Sequence, residues 1–359
     1  MIYRRIQSRT SHLRLINPVA RILPALLFLA LFSCASVAQE SGPRAVGNIN
    51  IPRAGNIESW TNLSLQGSEL VPDTPFVGEK DDLPQFTREL IQVKWRAGDP
   101  IDLYVIKPKG VVKPGVVLYL YSYPSETERF RDDRYCTRVT KDGFAAIGFV
   151  SALTGHRYQD RPMKEWFISE LQEALATSVH DVQMVLNYLG TRDDLDMSRV
   201  GMFGAGSGGT IAILAATVEP RIKAIDLLDP WGDWPDWMPK SALIPEEERA
   251  RYVTPEFLKK IAPLDPAILL PQLKSQQVRL QHVMDDDVTP KEAKAKIESA
   301  AGSSTQLVRY EDTRQLFMAT SGGRLFEWLK VHLGSGGAPA VHNAQGESSM
   351  QTKDGARSN

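Results

Sequence analysis

The sequence contains very little cysteine. Its 359 residues include only Cys34 and Cys136, so the chain can form at most one disulfide within itself. If an N-terminal segment that contains Cys34 is removed, no intramolecular disulfide is possible. The fold must then depend on its core, and a hydrophobic content of 42% is enough to build a large one.

Patterns that bind metal ions are also missing. The chain has 6 histidines, but none of them forms a His-x-x-x-His pair, and there is no Cys-x-x-Cys. The acidic run Asp285, Asp286 and Asp287 lacks the spacing of a calcium loop. We therefore expect neither a metal nor another cofactor.

Neither sign of charge is in excess. Lys+Arg 42 against Asp+Glu 43 gives a net charge of -1, which argues against a nucleic acid partner. The first 39 residues differ from the rest, because they contain no acid and combine several arginines with the apolar run Ile22 to Phe32. That run is shorter than the ~20 residues that a membrane span requires.

This N-terminal segment predicts a secretory signal peptide over residues 1–38. The small residues Ser36 and Ala38 indicate cleavage after Ala38. Alternatively, Leu31 to Cys34 is a bacterial lipobox with an atypical Phe32, and Cys34 becomes a lipidated N-terminus. Both interpretations predict an exported protein, periplasmic or extracellular, without a membrane span after cleavage.

The periodicity of apolar residues predicts the fold class. Residues 39–85 are rich in Pro, Gly, Asn and Asp and predict an irregular N-terminal arm. Alternating runs at Thr87–Trp95 and Ile101–Ile106 predict an antiparallel hairpin. Strands and helices then alternate, which predicts an α/β fold with a doubly wound, mostly parallel sheet and an antiparallel N-terminal edge. The further predicted strands are Gly115–Tyr121, Phe144–Val150, Val200–Phe203, Ile222–Leu228, Val278–Met284 and Gln306–Tyr310. The predicted helices are Glu126–Lys141, Lys164–Leu189, Ser207–Thr217, one that is capped by Thr289 and Glu292, and Gly323–Leu333.

The alternation is interrupted within the main domain, residues 86–333. Residues 230–277 contain 3 of the 7 tryptophans, Trp231, Trp234 and Trp237. This insert leaves the carboxyl end of a central strand, where α/β proteins bind their ligands. We expect it to form a small cap over the site. Residues 334–359 have the composition of a disordered tail.

A glycine-rich corner, Gly204 to Gly209, separates a short apolar strand from an Ala-rich helix. It fits a nucleophile elbow, G-x-S-x-G, with Ser207 as the nucleophile and Ala205 in place of the first glycine. It also fits the dinucleotide fingerprint G-x-G-x-x-G, with Asp226 or Asp229 as the ribose-binding acid. A dinucleotide fingerprint normally lies in the first βαβ unit of its domain, whereas about five predicted elements precede this one. The position of the corner therefore favours the elbow.

The hairpin, the strand end Leu118 to Tyr123, the segment Asp196 to Gly201, the insert and the Asp-rich end of the strand Val278–Met284 resemble the α/β-hydrolase superfamily. The resemblance is to its dienelactone hydrolase, acetyl xylan esterase and prolyl oligopeptidase-like members in particular. The resemblance implies that Ser207 attacks an ester or amide carbonyl. It also implies that the N–H groups of Gly208 and Tyr123 bind the oxyanion. The catalytic acid is expected at Asp286, with Asp285, Asp287 and Asp229 as alternatives.

The same resemblance leaves the catalytic base unassigned. Gln315 stands where members of the superfamily place a histidine, and an amide cannot take a proton from serine. His156, which follows the predicted strand Phe144–Val150, is the candidate for a displaced base. Of the other histidines, His180 is expected to be at the surface or in packing, His282 in the core, and His332 at the end of the last helix.

Three functions follow as hypotheses. The first is an exported serine hydrolase of the esterase or peptidase type that acts on a small-molecule ester, amide or glycan-derived substrate. The second is a catalytically inactive relative that binds an acyl or glycan ligand under the tryptophan-rich insert. The third is a nucleotide-binding protein that uses the glycine corner.

Overall fold

A mixed sheet of nine strands forms the centre of the part of the chain that the computed structural model describes, which is residues 58–68, 70–96, 99–153, 167–273 and 276–334. This sheet confirms the predicted fold class. The strands are β1 (Phe76–Asp82), β2 (Phe86–Val93), β3 (Ile101–Pro108), β4 (Gly115–Leu120), β5 (Phe144–Phe149), β6 (Asp196–Ala205), β7 (Ile222–Leu228), β8 (Gln277–Val283) and β9 (Gln306–Tyr310).

The strand order is β1-β2-β3-β5-β4-β6-β7-β8-β9. The first three pairs in this order are antiparallel, and the remaining five are parallel. The predicted hairpin is β2 with β3, and its register runs from Phe86 opposite Pro108 to Val93 opposite Ile101. Every residue of β4 and β5 is buried, because strands in the middle of a doubly wound sheet are covered on both faces.

Helices cover both faces of the sheet. Alternate residues of β4 belong to two different apolar clusters, one shared with α2 and α3 and the other with α1 and α10. No helix in the described ranges is both long enough and apolar enough to span a membrane. The helices are α1 (Asp133–Thr140), α2 (Leu171–Gly190), α3 (Ser207–Val218), α4 (Trp234–Lys240), α5 (Glu246–Tyr252), α6 (Pro255–Ile261), α7 (Pro266–Leu269), α8 (Lys291–Ala300), α9 (Thr313–Thr320) and α10 (Glu327–Leu333), with 3₁₀ turns at Glu128–Arg131, Phe167–Glu170, Ala262–Leu264, Leu270–Gln272 and Ser321–Phe326.

Two predictions in the N-terminal half were wrong in detail. Residues 76–82, predicted to be irregular, form β1 and extend the antiparallel edge. The helix predicted over Glu126–Lys141 is interrupted at Asp132. The carboxylate of Asp132 accepts the N–H groups of Arg134 and Tyr135, so it caps a new helix instead of continuing the preceding 3₁₀ turn.

Two predictions near the C-terminus were also wrong. The residue before α8 is Pro290, and no side chain caps that helix. Thr289, the predicted cap, instead donates its N–H to Asp286. The helix α9 was not predicted at all. The signal segment with Ala38 and Cys34, the arm up to residue 57, His156 and the tail from residue 335 lie outside the described residues.

The insert after β7 forms the four short helices α4 to α7. Its tryptophans Trp231, Trp234 and Trp237 are all buried. Trp231 and Trp237 stack with their ring centroids 4.9 Å apart. Asp265 accepts the N–H groups of Asp233 and Trp234 and so fixes the start of α4. The three indoles therefore form a core beneath the insert and offer no exposed platform for a sugar ring.

Candidate active site

The glycine corner joins β6 to α3 at the carboxyl edge of the sheet. Gly206 lies between the two elements with φ 55° and ψ -121°. A residue with a side chain adopts this left-handed backbone only at a cost in energy. The Gly206 N–H donates to the carbonyl of Leu228 at 2.9 Å. The corner is therefore anchored to the end of the neighbouring strand β7.

Two neighbours of this turn have no room for a side chain. A Cβ atom on Gly204 would lie 2.5 Å from the carbonyl oxygen of Gly208, and one on Gly208 would overlap the carbonyl of Leu120. The G-x-S-x-G elbow requires small residues two positions before and after its strained central residue. The pattern therefore runs from Gly204 to Gly208, and its central residue is Gly206. This centre lies one residue before Ser207, the nucleophile predicted from the sequence.

The central position of the elbow has no side chain of its own. A Cβ atom added to Gly206 would overlap the Oγ of Ser122, and it would lie 2.8 Å from the Ser122 Cβ and 3.2 Å from the Trp231 Nε1. Ser122 and Trp231 thus occupy the space in which the side chain of a nucleophile would begin.

Ser207 lies in the first turn of α3 and faces the interior. The residue is fully buried, and its Oγ accepts the Tyr123 N–H at 2.9 Å. The predicted projection of this hydroxyl into a pocket is therefore not found, and the Tyr123 N–H, a predicted oxyanion donor, already has an acceptor. The other predicted donor, Gly208, is the second residue of α3. Its N–H belongs to a helix N-terminus, which attracts negative charge.

Two carboxylates meet at the ends of β7 and β8. Asp229 has φ 45° and accepts the Val283 N–H at 3.0 Å, while Asp286 accepts the Thr289 N–H at 3.0 Å. Burial raises the pKa of Asp229 to about 7, and the charge of Asp286 adds to the rise. Burial likewise raises the pKa of Asp286. The structure therefore pairs the predicted acid with its alternative, and Asp229 follows directly after the residue that anchors Gly206.

The sequence itself matches a known family over part of its length. Residues 101–228 match the model of the Dienelactone hydrolase family, a span that begins with β3 and ends with β7. It includes the elbow and stops before Asp286 and Gln315. This part of the chain is therefore similar to a family of α/β-hydrolases. No curated protein matches it in sequence.

Solved structures share this hydrolase fold. Acetyl xylan esterase 1 from Thermoanaerobacterium sp. superposes with a TM-score of 0.57 at 15% identity, over 73% of this chain and 90% of the esterase. The acetyl xylan esterase of Paenibacillus sp. R4 gives a TM-score of 0.53 at 15% identity, over 75% and 91%. The S-formylglutathione hydrolase of Agrobacterium tumefaciens gives 0.53 at 14% identity, over 72% and 99%. At such low identity these likenesses show the fold alone.

Gln315, predicted from the resemblance to stand in place of a histidine, lies in the first turn of α9. Its N–H donates to the Asp312 carboxylate at 2.7 Å, and its side-chain oxygen accepts the Glu311 N–H. These hydrogen bonds of Gln315 therefore stabilise the start of its own helix. Within the described residues it forms no hydrogen bond with Asp286 or Ser207.

The histidines in the described part of this hydrolase fold are engaged elsewhere. His180 is buried between Glu58 and the Asn62 carbonyl, which fits the predicted packing role. His282 is buried beside Glu298, and burial lowers its pKa to about 4. The Nδ1 of His332 lies 2.8 Å from the Trp328 carbonyl, one turn back in the last helix. The predictions for His282 and His332 agree with these contacts.

The alternative of a ribose-binding acid does not fit the surroundings of Asp226. That carboxylate is fully buried and accepts hydrogen bonds from Arg279 and Gln281. It belongs to the core between β7 and β8 and has no free oxygen for a ligand. Among the residues that the structure describes, no three His, Cys, Asp or Glu side chains are grouped so as to hold a metal.

Proposed function

We propose that this protein is a ligand-binding member of the α/β-hydrolase superfamily that does not carry out acyl transfer through a serine, histidine and acid relay. The observation that supports this most is the backbone of Gly206. It has the strained conformation of the elbow's central residue, and a glycine there supplies no oxygen or sulfur atom to attack a carbonyl.

Two further observations support the proposal. The hydroxyl of Ser207 is buried and accepts the Tyr123 N–H, so an attack from it would first have to break that contact. Gln315 has no group that takes up a proton at physiological pH. Without a nucleophile at the centre of the elbow, and with no base beside it among the residues that the structure describes, helix N–H groups can bind an acyl oxygen but cannot complete the reaction.

The ligand is proposed to be a small acyl compound and not a glycan. The sequence allowed either an acyl or a glycan ligand under the tryptophan-rich insert, but all three tryptophans are buried. The N–H groups in the first turn of α3, which include that of Gly208, instead favour the oxygen of an acyl or carboxylate group.

A hydrolase with a displaced hydroxyl is the second candidate, because Ser122 places its Oγ where a side chain of residue 206 would begin. In this alternative the oxygen that attacks the carbonyl comes from the loop after β4. Ser207, the nucleophile predicted from the sequence, would have to leave its contact with Tyr123 to take the same role.

Labelling by a fluorophosphonate probe and turnover of 4-nitrophenyl acetate separate these possibilities. The wild type is expected to show neither above the heat-denatured protein. Labelling that is lost in Ser122→Ala but kept in Ser207→Ala would establish the second candidate instead. Labelling that is lost only in Ser207→Ala would restore the nucleophile predicted from the sequence. Either result overturns the proposal.

Rebuilding the site gives the converse test. The triple variant Gly206→Ser, Ser122→Gly, Gln315→His restores a hydroxyl at the centre of the elbow, makes room for it and supplies an imidazole. It is expected to gain fluorophosphonate labelling. The matched control carries Gly206→Ala in place of Gly206→Ser and is expected to remain unlabelled, since it differs by a single oxygen atom. Equal labelling of the two would show that residue 206 is not the position of the nucleophile.

A further inference from the structure

A cavity of about 340 Å³ lies between two segments that follow different strands. One wall is the 3₁₀ turn Glu128–Arg131 with α1, after β4. The other wall is α9 with the 3₁₀ turn Ser321–Phe326, after β9. Its lining includes neither Gly206 nor Trp231. The volume is in the range of pockets that bind small molecules.

The charge on the walls of this cavity has one sign. Arg129 and Arg138 line it, and no acidic residue does. The guanidinium of Arg129 lies over the ring of Tyr121 at 4.1 Å from the centroid. In the described part of the chain, neither arginine forms an ion pair. The two positive charges are therefore available to an anionic ligand.

Both arginines are close to the hydroxyl of Tyr121. Burial raises the pKa of Tyr121, and the positive charges of Arg129 and Arg138 act against that rise. The Tyr121 hydroxyl is also hydrogen-bonded to that of Tyr135 at 2.8 Å. Two guanidinium groups and two phenol side chains thus line the same cavity, a set of donors that fits the two oxygens of a carboxylate.

The cavity also has an apolar part to its lining. Phe317, Leu325 and Phe326 line it, and Phe317 is 70% exposed. Gly322 and Gly323 have φ 75° and 91°, so the chain turns here without side chains that would fill the space. The Nζ of Lys141 donates to the Gly322 carbonyl at 3.1 Å and fixes this wall to the end of α1. Phe317 therefore presents an apolar ring at the cavity that a ligand could pack against.

We propose that this cavity binds an organic carboxylate with an aromatic body. The carboxylate contacts Arg129 and Arg138, and the aromatic ring packs against Phe317 and Phe326. This site goes beyond the proposed function, because it does not involve the elbow and does not depend on whether the elbow reacts.

Isothermal titration of the purified protein with 1-naphthoate tests the proposal, with 1-naphthalenemethanol as the neutral compound of matched shape. Naphthoate is expected to bind saturably and about tenfold or more tightly than the alcohol, because charge-assisted hydrogen bonds are the stronger ones. The variants Arg129→Gln and Arg138→Gln are each expected to weaken naphthoate about tenfold and to leave the alcohol unchanged. Phe317→Ala is expected to weaken both compounds.

The matched control is Arg134→Gln, which removes an exposed arginine of α1 that does not line the cavity. It is expected to bind naphthoate as the wild type does. The proposal is overturned if naphthoate shows no saturable binding in the millimolar range, if the alcohol binds as tightly, or if Arg134→Gln loses as much affinity as Arg138→Gln. Thermal unfolding of each variant verifies that it is folded. Fluorophosphonate labelling of the wild type would refute the proposed function and leave this site unaffected.

Discussion

The glycine corner after β6 and the loops after β8 and β9 lie at the same edge of the sheet, but their residues are held by different kinds of contact. At the corner, Gly204 and Gly208 are packed so closely that neither has room for a Cβ atom. In the loops, Asp286 accepts the Thr289 N–H and Gln315 accepts the Glu311 N–H. The corner is fixed by close backbone packing, whereas Asp286 and Gln315 form hydrogen bonds within their own loops.

This difference separates residues that the fold requires from residues that the reaction requires. Gly208 packs against β4, so its replacement would disturb the sheet whether or not the protein reacts with a substrate. A histidine at position 315 would contribute to catalysis and is not needed to close the sheet. Backbone geometry that resembles an active site is therefore weak support for activity, and side chains at the strained position are a better guide.

The largest expected effect is that of Gly208→Ala. The added Cβ would overlap the carbonyl of Leu120, a backbone atom that cannot move without displacing β4. We expect a loss of about 3 kcal/mol or more in the free energy of unfolding, measured by urea denaturation. Gly190→Ala is the control, because Gly190 ends α2 and a Cβ there has no atom within 4 Å. It is expected to change stability by less than about 1 kcal/mol. Equal losses would mean that the corner is not tightly packed.

The next largest effect concerns Ser122, whose side chain fills the space beside Gly206 at the centre of the elbow. Gly206→Ala is expected to cost about 2 kcal/mol, because the residue has positive φ and its Cβ would meet Ser122. In the background of Ser122→Gly the steric part of this loss disappears. A double-mutant cycle is therefore expected to give a coupling energy of about 1 kcal/mol. Strictly additive losses would contradict the claim that Ser122 fills this space.

The pKa of Asp229, which is raised by burial and by Asp286, gives a pH-dependent change of similar size in the free energy of unfolding. The pKa of Asp229 is raised from 3.8 to about 7, so the folded state holds a proton that the unfolded state releases between these two values. Stability therefore falls as the pH rises through this range. The variant Asp229→Asn keeps the Oδ1 acceptor, and asparagine tolerates φ 45°. Between about pH 5 and 8, the variant is expected to lose about 2 kcal/mol less of its free energy of unfolding than the wild type. The control is Asp287→Asn, an exposed acid of the neighbouring loop, whose pH profile is expected to match the wild type.

Much of the fold followed from simple periodicity. The hairpin was predicted from the alternation of apolar and polar residues, which the burial of β2 follows from Glu89 to Val93, whereas β3 is buried without interruption from Leu103 to Ile106. The central strands were predicted because they are continuously apolar. The short strand β1 was missed, since only one of its 7 residues is even partly buried. A strand that pairs at the edge without contributing to a core leaves no hydrophobic pattern in the sequence.

The site was harder to predict, for a different reason. The run from Gly204 to Gly209 satisfies the elbow spacing in two registers, and the choice depends on whether β6 ends at Ala205 or one residue later. Sequence patterns locate the end of an element only to within a few residues, whereas the role of Ser207 changes with a shift of one. In contrast, Asp312 followed by Gln315 at the third position is a capping signal. That signal could have revealed α9.

The smallest effect is expected at Gln315, and its contrast with Ser207 tests the division between corner and loops directly. Gln315→Ala removes one side-chain oxygen that accepts the Glu311 N–H, while the Asp312 cap of α9 remains, so the loss is expected to stay below about 0.5 kcal/mol. Ser207→Ala leaves the Tyr123 N–H without its acceptor in a buried setting, which is expected to cost about 1 to 2 kcal/mol. Urea denaturation of both variants under one set of conditions measures the two losses. A larger loss for Gln315→Ala than for Ser207→Ala would mean that the loop after β9 stabilises the fold more than its contacts explain. A Ser207→Ala variant as stable as the wild type would mean that the serine hydroxyl is free of the Tyr123 N–H and available for chemistry.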